Sequence, residues 1–193
     1  MCCRFCNKDN IKTKLPDDGS GSIPCYRCIY EGDNSYAVLC PEQYTPGHTL
    51  VILNDHKVDI TDDIDETVFK DFSNTIRRVA EGLKTKATNH CGQNPDKIYV
   101  CMLSDGIEHL HTHLIPRYPF TERDKSIYRE TFIPRDGVDE VEDMINQHKL
   151  GGFWYMALRE REWKNSEFAE RTVEERANIL ENLAIKLKID NAQ

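Results

Sequence analysis

Three of the chain's seven histidines fall within five residues, in the run His109-Leu-His111-Thr-His113-Leu-Ile115. In an extended segment successive side chains point to opposite faces. The three imidazoles are therefore predicted to share one face, with Leu110, Thr112 and Leu114 on the other. A single strand histidine is most often a structural residue. Three in register resist that reading, because neighbouring imidazoles on a half-buried face oppose being protonated together. Two chemistries suit such a row. Alternate histidines can ligate a metal. An imidazole nitrogen can also attack an electrophile while its neighbours hold its tautomer and bind the oxyanion.

The second concentration of reactive groups is at the N-terminus. Of eight cysteines, Cys3 and Cys6 form one pair with two residues between them and Cys25 and Cys28 form another, 18 residues further on. Two residues between thiolates let one tight turn offer both sulfurs to one ion, and two such turns complete a tetrahedron. The intervening run KLPDDGSGSIP is rich in Pro, Gly and Ser and can fold back to join the pairs. The expectation is a structural zinc site of Cys3, Cys6, Cys25 and Cys28. Cys40, Cys91 and Cys101 lack such spacing and read as buried small apolar residues. Cys2 is a spare beside Cys3.

Positioning these groups requires a sheet and helices. Tyr36–Leu39 and Thr49–Leu53 read as strands around the turn signal Thr45-Pro-Gly47. Phe69, Phe72, Ile76, Val79 and Leu83 recur at helical spacing after a cap expected at Thr61 or Asp62. Ile98–Leu103 and Leu110–Ile115 read as paired strands joined by a turn at Ser104-Asp105-Gly106. Beyond Pro119, Val138, Val141, Met144 and Ile145 with Gly151 suggest a short helix and its stop. Thr172 and Glu175 form a capping box for a helix carrying Ala177, Leu180, Leu183, Ala184 and Leu187 on one face. Phe153-Trp154-Tyr155 reads as a core anchor. The fold class is α+β, an antiparallel sheet with flanking helices. The chain divides into a zinc-binding head (1–28), a catalytic core (29–120) and a helical extension packed on it (121–193).

With 193 residues, 25 basic and 33 acidic side chains and a net charge of −8, the chain is one domain's worth of ordinary globular sequence. The acidic balance argues against nucleic-acid backbones as the main partner. No apolar run approaches the ~18 residues of a membrane span, and MCCRFCNKDN has no apolar signal core, so a cytoplasmic location is expected.

HLHTHLIPR, together with the upstream segment Thr45-Pro-Gly-His48-Thr-Leu-Val-Ile52, resembles the histidine-triad (HIT) superfamily of nucleotide hydrolases and transferases over roughly residues 30–118. The resemblance implies that His111 attacks the α-phosphate of a nucleotide and forms a nucleotidyl-imidazole. His113 would contact phosphate oxygens, His109 would support the hydrogen-bond network and His48 would orient the triad. Ser104, Asp105, Gly106 and Ile107 would occupy the phosphate-contacting stretch. A two-fold homodimer is the default that the resemblance implies. The chain departs from the family pattern in carrying Ser-Asp-Gly-Ile-Glu before the first histidine, where many members have Gly-Gln-Ser/Thr-Val. It also carries Cys40 where members often have an Asn or Asp that binds ribose.

Related proteins also supply a second zinc scheme, in which one CxxC pair joins His56 and His109. The four-cysteine set is the expected one here because it uses every thiolate pair and leaves His109 free. Three functions are therefore open: an enzyme acting on dinucleoside polyphosphates or nucleoside phosphoramidates, a non-catalytic zinc-supported nucleotide adaptor or sensor, and a catalytic metal held by the triad itself.

Overall fold

The computed structural model describes residues 3–15, 23–103, 106–127, 129, 153–164, 166 and 170–190. Its centre is a five-stranded antiparallel sheet. The strands are β1 (Cys28–Glu31), β2 (Ser35–Leu39), β3 (Thr49–Leu53), β4 (Lys97–Cys101) and β5 (His111–Arg117), in the spatial order β1-β2-β3-β5-β4. Every residue of β2 and β3 is buried. That explains why SYAVL and TLVIL read as continuous runs and not as a polar–apolar alternation: both faces of the sheet are covered.

One face carries Ala37, Leu39, Val51, Leu53 and Leu114 beneath helices α2 (Glu66–Lys86) and α4 (Val173–Leu187). Helix α2 sets Phe72, Thr75, Val79 and Leu83 into this core. Its cap is Asp65, whose side chain accepts from the backbone of Thr67 and Val68. The expected caps lie too early. Asp62 instead closes a preceding turn, accepting from the backbone of Val58 and Asp59. Helix α4 starts in the expected capping box of Thr172 and Glu175 and buries Ala177, Leu180, Ala184 and Leu187 against the sheet and α2. Its exit is fixed by the bond from Ile189 N–H to the Ile29 carbonyl. Gly82 on α2 meets Ile189 so closely that a Cβ there would come within 2.6 Å of it.

The opposite face carries Tyr36, Val38, Cys40, Leu50 and Ile52, packed with Phe5 and Ile11 of the N-terminal segment. That segment is a single turn (Arg4–Cys6) followed by α1 (Lys8–Thr13). It is tied down by the fully buried Arg27, whose guanidinium donates to the carbonyls of Ile11, Lys14 and Leu39. Helix α3 (Phe153–Lys164) is anchored through Tyr155, whose hydroxyl accepts from Tyr118 N–H and donates to the Pro116 carbonyl. The Arg159–Asp124 ion pair adds a second anchor. Tyr155 is fully buried, as expected of a core anchor. The helix expected around Val138–Ile145 lies outside the described residues, as do the side chains of Phe153 and Trp154.

Because Leu180 lies at the centre of the α2–α4 core, Leu180→Ala should lower the unfolding free energy by about 2–5 kcal/mol in urea titration. A loss under about 0.5 kcal/mol would show that α4 does not help to close the core.

Candidate active site and metal centre

Strand β5 is paired on both sides, and its register decides the site. His111 lies opposite Ile52 and His113 opposite Leu50, which puts both imidazoles on the Phe5 face, while Leu114 turns to the helices. His109 departs from the expected row. It precedes β5, which begins at His111, and the turn expected at Ser104-Asp105-Gly106 lies partly outside the described residues. Two members of the motif therefore stand on the strand. The third is turned toward the N-terminal segment.

The hydrogen bonds assign a tautomer to each ring. His111 donates from Nδ1 to the His109 carbonyl at 2.7 Å, so its Nε2 carries the lone pair. His48 donates from Nδ1 to the Glu42 carbonyl at 2.9 Å and accepts at Nε2, 3.1 Å from His113 Nδ1. This leaves Nε2 of His113 as its lone-pair nitrogen. The rings of His111 and His113 are 5.1 Å apart, and those of His113 and His48 are 5.3 Å apart. Burial disfavours the imidazolium form. It lowers the pKa of His113 to about 4, helped by His111, and that of His48 to about 3, helped by His113. His48 and His113 are thus held in their neutral form near neutral pH. His111 is 5% exposed and His113 is half-buried.

The loop that delivers His48 is stapled by Gln43. Its amide donates to the carbonyls of Cys40 and His48 and its oxygen accepts from Gly47 N–H. Gly47 has a φ of +86°, and a Cβ there would lie 3.2 Å from that of Ala87. A residue other than glycine would be strained at this turn. Tyr44 stacks obliquely on His48 at 5.5 Å and meets Trp163 of α3 edge-on at 5.7 Å. Helix α3 therefore borders the His48 end of the row.

The four cysteines do not converge. Cys25 is buried in the helix-side core, directed at the Ala177 carbonyl, and Cys28 is buried on the opposite face of the sheet. Their side chains are buried in the cores of opposite sheet faces, which overturns the expected set of Cys3, Cys6, Cys25 and Cys28. The residues that do converge are Cys3, Cys6, His56 and His109, with one donor atom of each within 4.8 Å of all the others. The sulfurs are 3.5 Å apart. His109 Nδ1 lies 3.1 Å from Cys3 Sγ, 3.7 Å from Cys6 Sγ and 3.4 Å from His56 Nδ1. A tetrahedron with Zn–S of about 2.3 Å and Zn–N of about 2.0 Å has edges of roughly 3.3–3.8 Å, so this donor set fits zinc. His109 donates from Nε2 to the Leu53 carbonyl at 2.7 Å, which turns its Nδ1 lone pair toward the cluster.

A family model described as HIT domain matches residues 23–120. The chain belongs to the HIT family. It is 29% identical over 103 residues to Protein hit of Bacillus subtilis (strain 168), a match covering 51% of this chain and 66% of that protein. The matched part thus falls just short of two thirds of that relative's length. Among solved structures, it is similar to a HIT family protein from Bacillus anthracis, at 25% identity and a TM-score of 0.46, with 95% of each chain covered. It is also similar to a Zn-bound histidine triad family protein from Mycobacterium smegmatis, at 22% identity and a TM-score of 0.45, covering 86% of this chain and 99% of that one.

Among the other expected site residues, Ser104 and Asp105 lie outside the described residues, Gly106 is exposed and Ile107 packs beside Phe5. Cys40 is buried as expected, Cys101 is half-buried and Cys91 is exposed. Sequence reasoning missed Phe5 and Gln43 and the peptide carbonyls of Glu42 and Leu53. A backbone acceptor carries no sequence signal, whereas Phe5, flanked by two ligands in Cys-Arg-Phe-Cys, was open to inspection. Among the described residues no helix is long and apolar enough to cross a membrane.

Two outcomes follow from this geometry. Purified protein should hold about one equivalent of zinc, retained by Cys28→Ala and lost by Cys6→Ser and His56→Ala, as read by elemental analysis. Zinc loss from Cys28→Ala with retention in His56→Ala would reinstate the four-cysteine scheme. The second outcome concerns pH. The unfolded imidazoles titrate near 6.5, well above the folded values of His48 and His113, so the unfolded chain binds more protons between about 6.5 and 4. Their contribution to stability is intact above 6.5 and is lost as pH falls toward 4. The urea midpoint should be lower at about pH 5 than at about pH 7.5, with a flatter dependence in a His48→Gln/His113→Gln variant. Equal slopes in the two proteins would exclude these rings as the cause.

Proposed function

We propose that the chain is a nucleotide hydrolase or nucleotidyl transferase that acts on the α-phosphate of a dinucleoside polyphosphate or nucleoside phosphoramidate through a covalent intermediate on His111. The observation that carries this reading is the hydrogen bond from His111 Nδ1 to the His109 carbonyl. It commits Nδ1 as a donor and leaves Nε2 as the nitrogen for attack, in a fixed direction.

In the first displacement the Nε2 lone pair of His111 forms a bond to phosphorus, and the bond to the leaving group breaks with its electron pair. In the second, water or another acceptor attacks the same phosphorus, and the electron pair of the N–P bond returns to His111. Splitting the reaction in two requires a nucleophile held in a fixed direction, which the bond from His111 Nδ1 to the His109 carbonyl supports. His113, held in place by His48, which is itself fixed by the Glu42 carbonyl, would contact a phosphate oxygen through Nε2 once that nitrogen takes up a proton beside the anionic phosphate. His109 supplies the carbonyl that sets the tautomer of His111. The phosphate would lie toward the segment from Ser104 to Ile107. Zinc held by Cys3, Cys6, His56 and His109 would act structurally, pinning the N-terminal turn to the sheet.

The test is turnover on a panel of dinucleoside polyphosphates and nucleoside phosphoramidates, together with acid-quench mass spectrometry of the protein. Wild type should turn over at least one class and carry an added nucleotidyl mass during the reaction. His111→Asn should lose about a thousandfold or more in kcat while keeping its fold. Full turnover by His111→Asn would end this reading, and nucleotide binding without turnover by wild type across the panel would favour an adaptor instead.

A further inference from the structure

Phe5 lies in the single turn Arg4–Cys6, between two residues of the metal cluster. Its ring faces two histidines with different jobs. It meets His109 edge-on with centroids 5.9 Å apart and His111 edge-on at 5.0 Å. On its other neighbouring side, His111 meets the ring of His113 at 5.1 Å. The imidazole of His111 is thus held by a hydrogen bond along its own strand and by one ring from each of two segments.

What holds Phe5 is equally defined. Its ring is 5% exposed and packed with Ile11, Tyr36, Val38, Leu50 and Ile52. Its carbonyl accepts from the Tyr36 hydroxyl at 3.1 Å. The turn itself is closed by the bond from Cys6 N–H to the Cys3 carbonyl. Ligation of both sulfurs would fix the two ends of that turn, and with them the direction in which Phe5 projects.

We propose that Phe5 is a positioning residue for His111: the metal-binding turn presses its ring against the nucleophile, so that the state of the Cys3, Cys6, His56 and His109 cluster sets how well His111 is aimed. This rests on the reading of His111 as the nucleophile. Phe5 offers no polar atom from its side chain, so its role is steric. A nucleophile displaced by an ångström from its line of attack loses about a hundredfold in rate, so the effect falls on kcat.

The test uses the full-length, zinc-loaded protein with an adenosine phosphoramidate as the probe substrate. Phe5→Ala should lower kcat about 10- to 100-fold with KM within about twofold, keep about one equivalent of zinc, and shift the imidazole nitrogen resonances of His111 in long-range 1H–15N spectra. Phe5→Leu, which restores bulk without the ring, should recover most of the loss and guards against a folding defect in the alanine variant. Chelation of wild type should reproduce the kcat loss and the His111 shift, whereas chelation of Phe5→Ala should add little, because the two perturbations share one route. Several results would overturn the proposal: unchanged kcat in Phe5→Ala, a rise confined to KM, zinc loss in both variants, or strictly additive effects of chelation and substitution. Retained turnover by His111→Asn would instead strike the nucleophile assignment itself. An inactive His111→Asn beside a fully active Phe5→Ala would strike this inference alone.

Discussion

Antiparallel pairing of β5 with β3 is the constraint on which the site depends. The register Ile52 to His111 and Leu50 to His113 sends two imidazoles to one face of the sheet and Thr112 and Leu114 to the other. Side chains alternate with a period of two, so a slip of one residue would drive both histidines under the helices and turn Leu114 to the Phe5 face. That slip is opposed by burial. Leu114, Val51 and Leu53 are fully buried beneath α2 and α4, and Ile52 is fully buried on the other face. The helices on the far side of the sheet thus take part in the chemistry by holding the register, although they bring no functional group to it.

Burial of polar rings is the second condition. His48, His109 and His111 are almost fully covered, and a buried polar group is tolerated only when its hydrogen bonds are made. Here the partners are peptide carbonyls: Glu42 for His48, Leu53 for His109 and His109 for His111. Each carbonyl takes up a proton-bearing nitrogen and thereby decides which nitrogen keeps its lone pair. The same arrangement that makes burial affordable also fixes which nitrogen of each ring donates.

His109 joins the two halves of the site. Its ring belongs with Cys3, Cys6 and His56, while its carbonyl belongs to His111. One residue therefore links the N-terminal segment to His111 through its backbone, and Phe5 does so through side-chain contact. On the opposite flank, Tyr44 and Trp163 connect His48 to α3. Helix α3 is in turn held by Tyr155 and by the Arg159–Asp124 pair. The row is bounded by both terminal regions of the chain, which leaves the sheet as a scaffold shared between them.

The local features were legible in the sequence because they depend on residues close together along the chain. Alternation within His111-Thr-His113, the apolar run Thr49–Leu53, the capping box at Thr172 and the turn before His48 follow from backbone periodicity and from the conformational limits of single residues. The sequence therefore determined four of the five strands, the two helices packed on the sheet and the two imidazoles that share a face, whereas β1, α1 and α3 were not read from it. Tertiary structure alone decided which distant groups meet. Two cysteines separated by two residues announce that a pair of sulfurs can be close, yet Cys25 is buried in the helix-side core and Cys28, the first residue of β1, in the core of the opposite face, while Cys3 and Cys6 close a turn beside His56 and His109. Spacing describes what a segment can do by itself. Burial and strand pairing, which no short window contains, select the partner it finds.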